Sequence, residues 1–113
     1  MSMSSQQSLE EKYANCPVIK TLEEVGSRWR MTVIHVLREG DLRFNELKRA
    51  AGANSQTLSR VLDDLEEKEY VERYVEEESP IAVYYSLTPK GSELLSAFDE
   101  ILDWGEKWMG EEN

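Results

Sequence analysis

The chain has 113 residues, enough for one domain with a modest core of its own. Its formal net charge of −10 at pH 7 argues, taken alone, against a nucleic-acid partner. One cysteine and one histidine exclude an intrachain disulfide and any zinc site built from several cysteines or histidines.

The sequence carries no sign of a membrane segment or of a catalytic centre. It has no run of 18 apolar residues, and its first eight residues lack the basic and apolar regions of a signal peptide, so we expect a cytoplasmic location and no membrane partner. It also lacks a Gly-rich phosphate loop and any Cys/His metal-ligand spacing, and its single histidine, His35, offers no plausible Ser-His-Asp set. We therefore expect no enzyme, no metal and no cofactor.

The charge is unevenly distributed along the chain. Residues 28–60 contain seven Lys or Arg against three Asp or Glu, whereas residues 61–113 contain four against sixteen. Residues 28–60 are therefore the only basic part of the chain, and the acidic remainder favours solubility.

The first helices follow from end signals and apolar spacing. After a tail predicted to be disordered over residues 1–12, Pro17 can occupy the first position of a helix that Gly26 ends. Ser27 can cap a second, central helix that runs from Arg28 to Glu39. The predicted apolar faces are Val18, Ile19, Leu22 and Val25 in the first helix and Trp29, Val33, Val36 and Leu37 in the second.

Residues 45–68 have the dimensions of a helix-turn-helix. A short helix over residues 45–51 precedes the turn Gly52-Ala53-Asn54 and a longer helix within residues 54–68, for which Ser55 is the predicted N-cap. The short helix is expected to turn Leu47, Ala50 and Ala51 inward, and the longer one Leu58, Val61, Leu62 and Leu65.

The outer face of the longer helix carries the functional hypothesis. Gln56 and Arg60 lie on its first half, and Asp63 and Glu67 lie on its second half. The first half suits end-first insertion into a DNA major groove. An ordinary surface helix would show the same apolar stripe, so that alternative stays open.

Two β-rich runs and a short one complete the fold. Residues 71–75 and 82–87 flank an acidic segment that contains Pro80, which predicts a hairpin over residues 71–87. Leu42-Arg43-Phe44 is too short for an independent strand but can pair with this hairpin. The order of elements predicts a winged helix-turn-helix, a mainly α fold with a small β component, in a single domain over residues 1–113.

A final helix is predicted over residues 90–109. Its apolar stripe is wider than the roughly 100° that contact with one core requires, so we expect it to form a homodimer together with the N-terminal helix. The alternative is that this helix only covers its own domain. The predicted interface residues are Leu94, Phe98, Ile101, Leu102, Gly105 and Trp108.

Several motifs in order carry a family resemblance. They are Cys16-Pro17-Val18, Gly26-Ser27-Arg28-Trp29, Leu42-Arg43-Phe44-Asn45-Glu46-Leu47, Ser55-Gln56-Thr57-Leu58-Ser59 and, after Pro80, Val83-Tyr84-Tyr85-Ser86-Leu87-Thr88-Pro89-Lys90-Gly91. From Cys16 to about Trp104 the chain resembles the HxlR family of bacterial and archaeal winged-helix regulators, relatives of the MarR group. The resemblance implies a dimeric transcription factor, typically a repressor, that binds a palindromic operator in double-stranded DNA.

Carried over by position, the resemblance implies a helix-turn-helix at residues 45–68 and a wing at residues 76–82. The candidates for base contact are Gln56, Thr57, Ser59 and Arg60, although Arg60 can instead pair with Asp63 or Asp64. The candidates for phosphate contact are Arg28, Arg30, Arg43, Lys48, Arg49 and Ser55.

The wing departs from the family pattern. Ala82 stands where the family usually has an arginine, and Glu76-Glu77-Glu78 is unusually acidic. We therefore expect no insertion of the wing into a minor groove, whose negative potential favours Arg or Lys. The acidic wing and the net charge support the alternative of a winged-helix protein-interaction module without DNA binding.

Two hypotheses concern an effector. Cys16 precedes a helix N-terminus, where the helix dipole can stabilise a thiolate, and some members of the resembled family use a cysteine here as an oxidant or electrophile sensor. The alternative is a buried structural residue in the dimer interface. A cavity for a small molecule, as opposed to ordinary core packing, would be lined by Trp29, Phe44, Tyr84, Tyr85, Trp104 and Trp108.

Overall fold

The computed structural model describes residues 9–77 and 80–110. Their elements are, in order, α1 (residues 9–14), α2 (Pro17–Val25), α3 (Arg28–Val36, continued by the 3-10 turn Leu37–Glu39), β1 (Leu42–Arg43), α4 (Phe44–Ala51), α5 (Ser55–Glu67), β2 (Val71–Glu76), β3 (Ala82–Leu87), α6 (Pro89–Glu93) and α7 (Leu95–Met109). This is the winged helix-turn-helix that the sequence predicts.

The N-terminal part differs from its prediction at two points. The tail expected to be disordered over residues 1–12 is helical from residue 9, and residues 1–8 lie outside the described residues. Helix α2 starts at Pro17 as predicted, but of its apolar face only Val25 is buried.

The core is built around α3. The Ser27 hydroxyl caps this helix by accepting a hydrogen bond from the Arg30 amide, as predicted. Val33, Ile34 and Leu37 are buried, whereas Trp29 and Val36 are only half-buried at the edge of the core. Ile34 was not predicted to be buried because it lies about 100° around the helix from Val33, at the margin of the predicted apolar face.

The three strands form one antiparallel sheet in the order β1-β3-β2. Leu42 pairs with Tyr85, which confirms that the short run at residues 42–44 joins the hairpin. Val71 pairs with Leu87 at the root of the hairpin, and Glu76 pairs with Ala82 towards its tip.

The turn between α4 and α5 depends on a left-handed glycine. Gly52 has φ of +72°, a conformation that costs a residue with a Cβ more than it costs glycine, and it donates its amide to the Lys48 carbonyl. The N-cap of α5 is Asn54 and not Ser55, because the Asn54 side chain accepts from the Thr57 amide at 2.8 Å. Ser55 is therefore the first helical residue.

The C-terminal helix is interrupted. Thr88 caps α6 by accepting from the Gly91 amide, and the chain then bends at Leu94 before α7 begins. The continuous helix predicted over residues 90–109 is thus two helices, with Pro89 at the first position of the shorter one.

We expect Asn54→Ala to lower the free energy of unfolding by about 1 kcal/mol, because it removes the side-chain acceptor that caps α5. The matched control is Ser55→Ala, which leaves this cap intact and should change stability by only a few tenths of that. Urea unfolding followed by circular dichroism measures both. Equal losses in the two variants would contradict the assignment of the cap.

Candidate nucleic-acid interface

Helix α5 is fixed to the body by its apolar stripe. Leu58, Val61, Leu62 and Leu65 are all buried, as the spacing predicts. Its other side is exposed, so the direction of the outer face is set by these four side chains.

The outer face is sorted by charge along the helix. Gln56, Ser59 and Arg60 are exposed on the N-terminal half, with Thr57 half-buried beside them. Asp63 and Glu67 are exposed on the C-terminal half. Within residues 9–77 and 80–110, Arg60 forms no ion pair, so the predicted pairing with Asp63 or Asp64 does not occur there. Its guanidinium is available to an external acceptor.

Two of the predicted phosphate ligands share a cleft beside the wing. Arg43 and Arg49, both exposed, line an open cleft of about 450 Å³ between the start of α4 and the strand β3. The Arg43 guanidinium lies 6.0 Å from the centre of the Tyr84 ring, at the outer limit of a cation–π contact. The cleft is therefore lined by one cation from β1 and one from α4, the first helix of the helix-turn-helix.

The other predicted cations differ in their surroundings. Arg28 is exposed and lies over the Trp29 ring at 4.5 Å, and Lys48 is half-buried on α4. Arg30 donates to the Glu24 carbonyl at 2.7 Å and to the Asp64 carboxylate at 3.0 Å. Because the Arg30 guanidinium already has these two acceptors within the chain, we do not expect it to contact a phosphate.

The wing is held at its base by aromatic and polar contacts. Tyr74 stacks on Tyr84 with ring centres 5.5 Å apart, and its hydroxyl donates to Asp41 at 2.7 Å. That hydrogen bond raises the pKa of Tyr74 to about 12. Glu76 and Glu77 are exposed, whereas Glu78 of the predicted acidic wing lies outside the described residues.

A polar cluster that the sequence reading missed joins the C-terminal end of α5 to α2. The Tyr70 hydroxyl donates a short hydrogen bond to the Glu24 carboxylate. This bond holds the pKa of Glu24 below its usual value, while burial and the same bond raise the pKa of Tyr70 to about 12. The partners of Tyr70 and Arg30 are 46 and 34 residues away in sequence, so local spacing gave no signal.

Cys16 is half-buried at the junction of α1 and α2, immediately before Pro17. It occupies the N-cap position of α2, but its side chain makes no capping hydrogen bond there. The expected place at a helix N-terminus is therefore confirmed, whereas its role as an oxidant sensor stays a prediction.

The predicted dimer face is largely exposed in the single chain. On α7 only Phe98 is buried, Leu94 and Leu95 are half-buried, and Trp108 is 64% exposed. Exposed apolar side chains continue along α7 and α2, namely Ile101, Leu102, Trp104, Met109, Val18, Ile19 and Leu22.

The aromatic residues proposed to line a ligand cavity do not converge. Trp29, Phe44 and Tyr85 are partly buried and pack against the core, and Tyr84 stacks on Tyr74 in the sheet. Trp104 and Trp108 are exposed on α7. The apolar hollow between α3 and α7 has about 230 Å³ and is lined by Met31, Thr32, His35, Phe98, Ile101 and Leu102.

Neither a membrane-spanning helix nor a metal-binding cluster occurs within residues 9–77 and 80–110. None of the helices there is long and apolar enough to cross a membrane. No group of three or more His, Cys, Asp or Glu side chains is arranged there to hold a metal ion.

The winged helix-turn-helix fold and the exposed polar face of α5 are typical of DNA-binding regulators of transcription. The chain matches the model of the HxlR-like helix-turn-helix family over residues 24–113, and it belongs to that family. It is 38% identical over 95 residues to the HTH-type transcriptional regulator YodB of Bacillus subtilis, covering 82% of this chain and 85% of YodB. It is 37% identical to an uncharacterized HTH-type transcriptional regulator of Halalkalibacterium halodurans, covering 95% and 96%.

Solved structures of YodB share the fold. The reduced form superposes with a TM-score of 0.74 at 36% identity, over 82% of this chain and 93% of that chain. The quinone-bound form superposes with a TM-score of 0.69 at 34% identity, over 82% and 99%. The winged helix of this chain is thus similar to that of a regulator solved in a reduced and a quinone-bound state.

Proposed function

We propose that the protein is a homodimeric repressor that reads a palindromic operator by inserting the N-terminal half of α5 into the major groove. The observation that carries the proposal is the sorting of side chains along α5, with exposed polar and basic groups up to Arg60 and carboxylates from Asp63 onwards. Such a helix meets phosphate with its N-terminal end, where the helix dipole is favourable, and turns its acidic end away.

Each side chain of that face has a stated role in the proposal. Arg60 donates two hydrogen bonds to guanine O6 and N7, and Gln56 pairs with an adenine edge. Thr57 and Ser59 contact phosphate or a thymine methyl group. Phosphate contacts come from Arg28, Arg43, Lys48, Arg49 and Ser55, which fix the register without reading sequence.

The homodimer is supported by the apolar face that the single chain leaves exposed. Ile101, Leu102 and Trp108 project from α7, and Val18 and Leu22 project from α2. A Cβ added at Gly105 would meet no atom within 4 Å, so the fold of one chain gives no reason for a glycine inside this helix. Close approach of a second α7 supplies one.

Arg60→Ala should lower affinity for a duplex selected by the wild type by about 1–3 kcal/mol and leave binding to a scrambled duplex nearly unchanged. Lys48→Ala is the matched comparison, because removing a phosphate contact weakens both duplexes about equally and reduces the salt slope by about 1. Gel-shift titrations between about 50 and 200 mM salt measure both effects.

An Arg60→Ala variant that keeps wild-type affinity and selectivity would contradict the recognition role of α5. If the wild type binds no duplex at either end of that salt range, the protein-interaction module is the better reading.

Gly105→Ala should raise the dissociation constant of the dimer by about tenfold or more, because the added methyl group pushes the two α7 helices apart. This effect opposes the helix propensity of alanine, which favours a helix over glycine by about 1 kcal/mol. Ser96→Ala, on an exposed position of the same helix, is the control and should leave dissociation unchanged. Sedimentation equilibrium measures both dissociation constants. A Gly105→Ala dimer as tight as the wild type would place the seam elsewhere.

We further propose that Cys16 makes DNA binding sensitive to oxidants or electrophiles. It sits half-buried at the start of α2, and the relative YodB has been solved in a quinone-bound form. Diamide, which oxidises two thiols to one disulfide, should join Cys16 of one protomer to the same cysteine of its partner and weaken DNA binding by the wild type and not by Cys16→Ser, with reversal by a reducing agent. Equal loss in both proteins, or none in the wild type, would leave Cys16 with only a structural role.

A further inference from the structure

Helix α2 is held to the rest of the chain mainly by polar groups. Of its side chains only Val25 is buried, at 3% exposure, while Val18 is 63% exposed and Leu22 is 55% exposed. One buried side chain gives a helix a single point of apolar contact, and that contact alone does not fix the direction of this nine-residue helix.

Two residues supply the missing attachment at its C-terminal end. Tyr70 donates its hydroxyl hydrogen to the Glu24 carboxylate. Arg30 donates to the Glu24 carbonyl and to Asp64 on α5, so a single guanidinium joins the end of α2 to the recognition helix. We call Glu24, Arg30, Asp64 and Tyr70 the α2 tether.

Tyr70 is itself held in place by two backbone hydrogen bonds and by close contacts with Lys90 and Gly91. Its amide donates to the Leu65 carbonyl at 2.8 Å, which ties it to the end of α5, and its carbonyl accepts from the Thr88 amide at 3.1 Å. The Lys90 ammonium lies 4.3 Å from the centre of its ring. At Gly91 a Cβ would come within 2.3 Å of the Tyr70 carbonyl oxygen, so only glycine allows this close approach.

The tether therefore links two parts of the molecule that have different tasks. On one side are α5 and the root of the wing, and on the other is α2, whose apolar face is open to a second copy. We propose that Tyr70 and Arg30 are positioning residues that fix the angle between α2 and α5 and thereby set the separation of the two recognition helices in the dimer. The second half of this statement rests on the homodimer proposed above.

The test compares Tyr70 with Tyr74, two tyrosines whose hydroxyls each donate to a carboxylate but in different parts of the chain. Tyr70→Phe removes the hydroxyl that reaches Glu24 and keeps the ring beneath Lys90. Tyr74→Phe is the matched control, because its hydroxyl also donates to a carboxylate, that of Asp41 just before β1. Glu24→Ala is a second way to open the tether, and its combination with Tyr70→Phe should add little to either alone.

The first measurement is the distance between α2 and α5 within one chain. Spin labels are attached at Glu23→Cys and Glu67→Cys, both exposed, in the Cys16→Ser protein diluted with unlabelled chain. Loss of a hydrogen bond to a charged group shifts the docking of α2 about tenfold towards the undocked state. We expect the distance distribution to broaden in Tyr70→Phe and Glu24→Ala and to stay narrow in Tyr74→Phe. An unchanged distribution in Tyr70→Phe would overturn the tether.

The second measurement is the spacing that the dimer tolerates in DNA. The probe is a duplex selected from a random pool by the wild type, with none, one or two base pairs inserted at its centre of symmetry. Inserted base pairs should cost the wild type about tenfold or more in affinity and Tyr70→Phe about threefold, with Tyr74→Phe like the wild type. Equal discrimination in Tyr70→Phe and the wild type would overturn the link to helix separation.

The two proposals fail in different ways. A wild type that sediments as a monomer overturns the homodimer and with it the statement about separation, whereas the intrachain distance still decides on the tether. A dimeric wild type whose Tyr70→Phe variant keeps a narrow intrachain distance overturns the tether and leaves the proposed function standing.

Discussion

The burial of the apolar stripe of α5 is the interaction on which the proposed DNA-binding face depends. Leu58, Leu62 and Leu65 are within 1% of complete burial, and Val61 lies beside them. At roughly 1.5–3 kcal/mol for each buried aliphatic side chain, this contact outweighs any single polar bond of the helix. These four buried side chains therefore determine which side chains of α5 are exposed and able to reach DNA. Because this stripe is buried, α5 cannot rotate about its own axis, and the direction of its outer face is fixed.

The attachment of α2 and α7 obeys a different balance. Helix α7 is joined to the body by the packing of Leu95 and Phe98 and by the ion pair of Arg38 with Asp99 at 2.8 Å, and α2 is joined by Val25 and the α2 tether. Polar bonds at a half-exposed surface are weaker and more directional than a buried stripe. The chain thus combines a winged-helix body that is held by buried side chains with two helices, α2 and α7, whose attachment depends in part on polar contacts.

The helices and strands could be predicted from residues close together in sequence. Contacts between residues far apart in sequence could not be predicted in this way. Pro17, Gly52 and the spacing of Leu58, Leu62 and Leu65 act within one or two helical turns, so the helix-turn-helix was readable from the sequence. Asn54 and Ser55 are adjacent and chemically similar, and only geometry separates the cap from the first helical residue. Arg30 looked like a phosphate ligand because its acceptor Asp64 is 34 residues away.

The same distinction explains how a chain of net charge −10 can present a basic face. Arg30, Arg38 and Arg73 are paired with carboxylates in the described part of the chain, whereas Arg43, Arg49 and Arg60 are not. Arg43, Arg49 and Arg60 lie on β1, α4 and α5, which are consecutive elements that end with the second helix of the helix-turn-helix. At physiological ionic strength a charge is felt over about 8 Å, so the carboxylates of α7 do little to cancel cations that lie further away than this. The local sorting of charge, and not its total, therefore governs what this surface can bind.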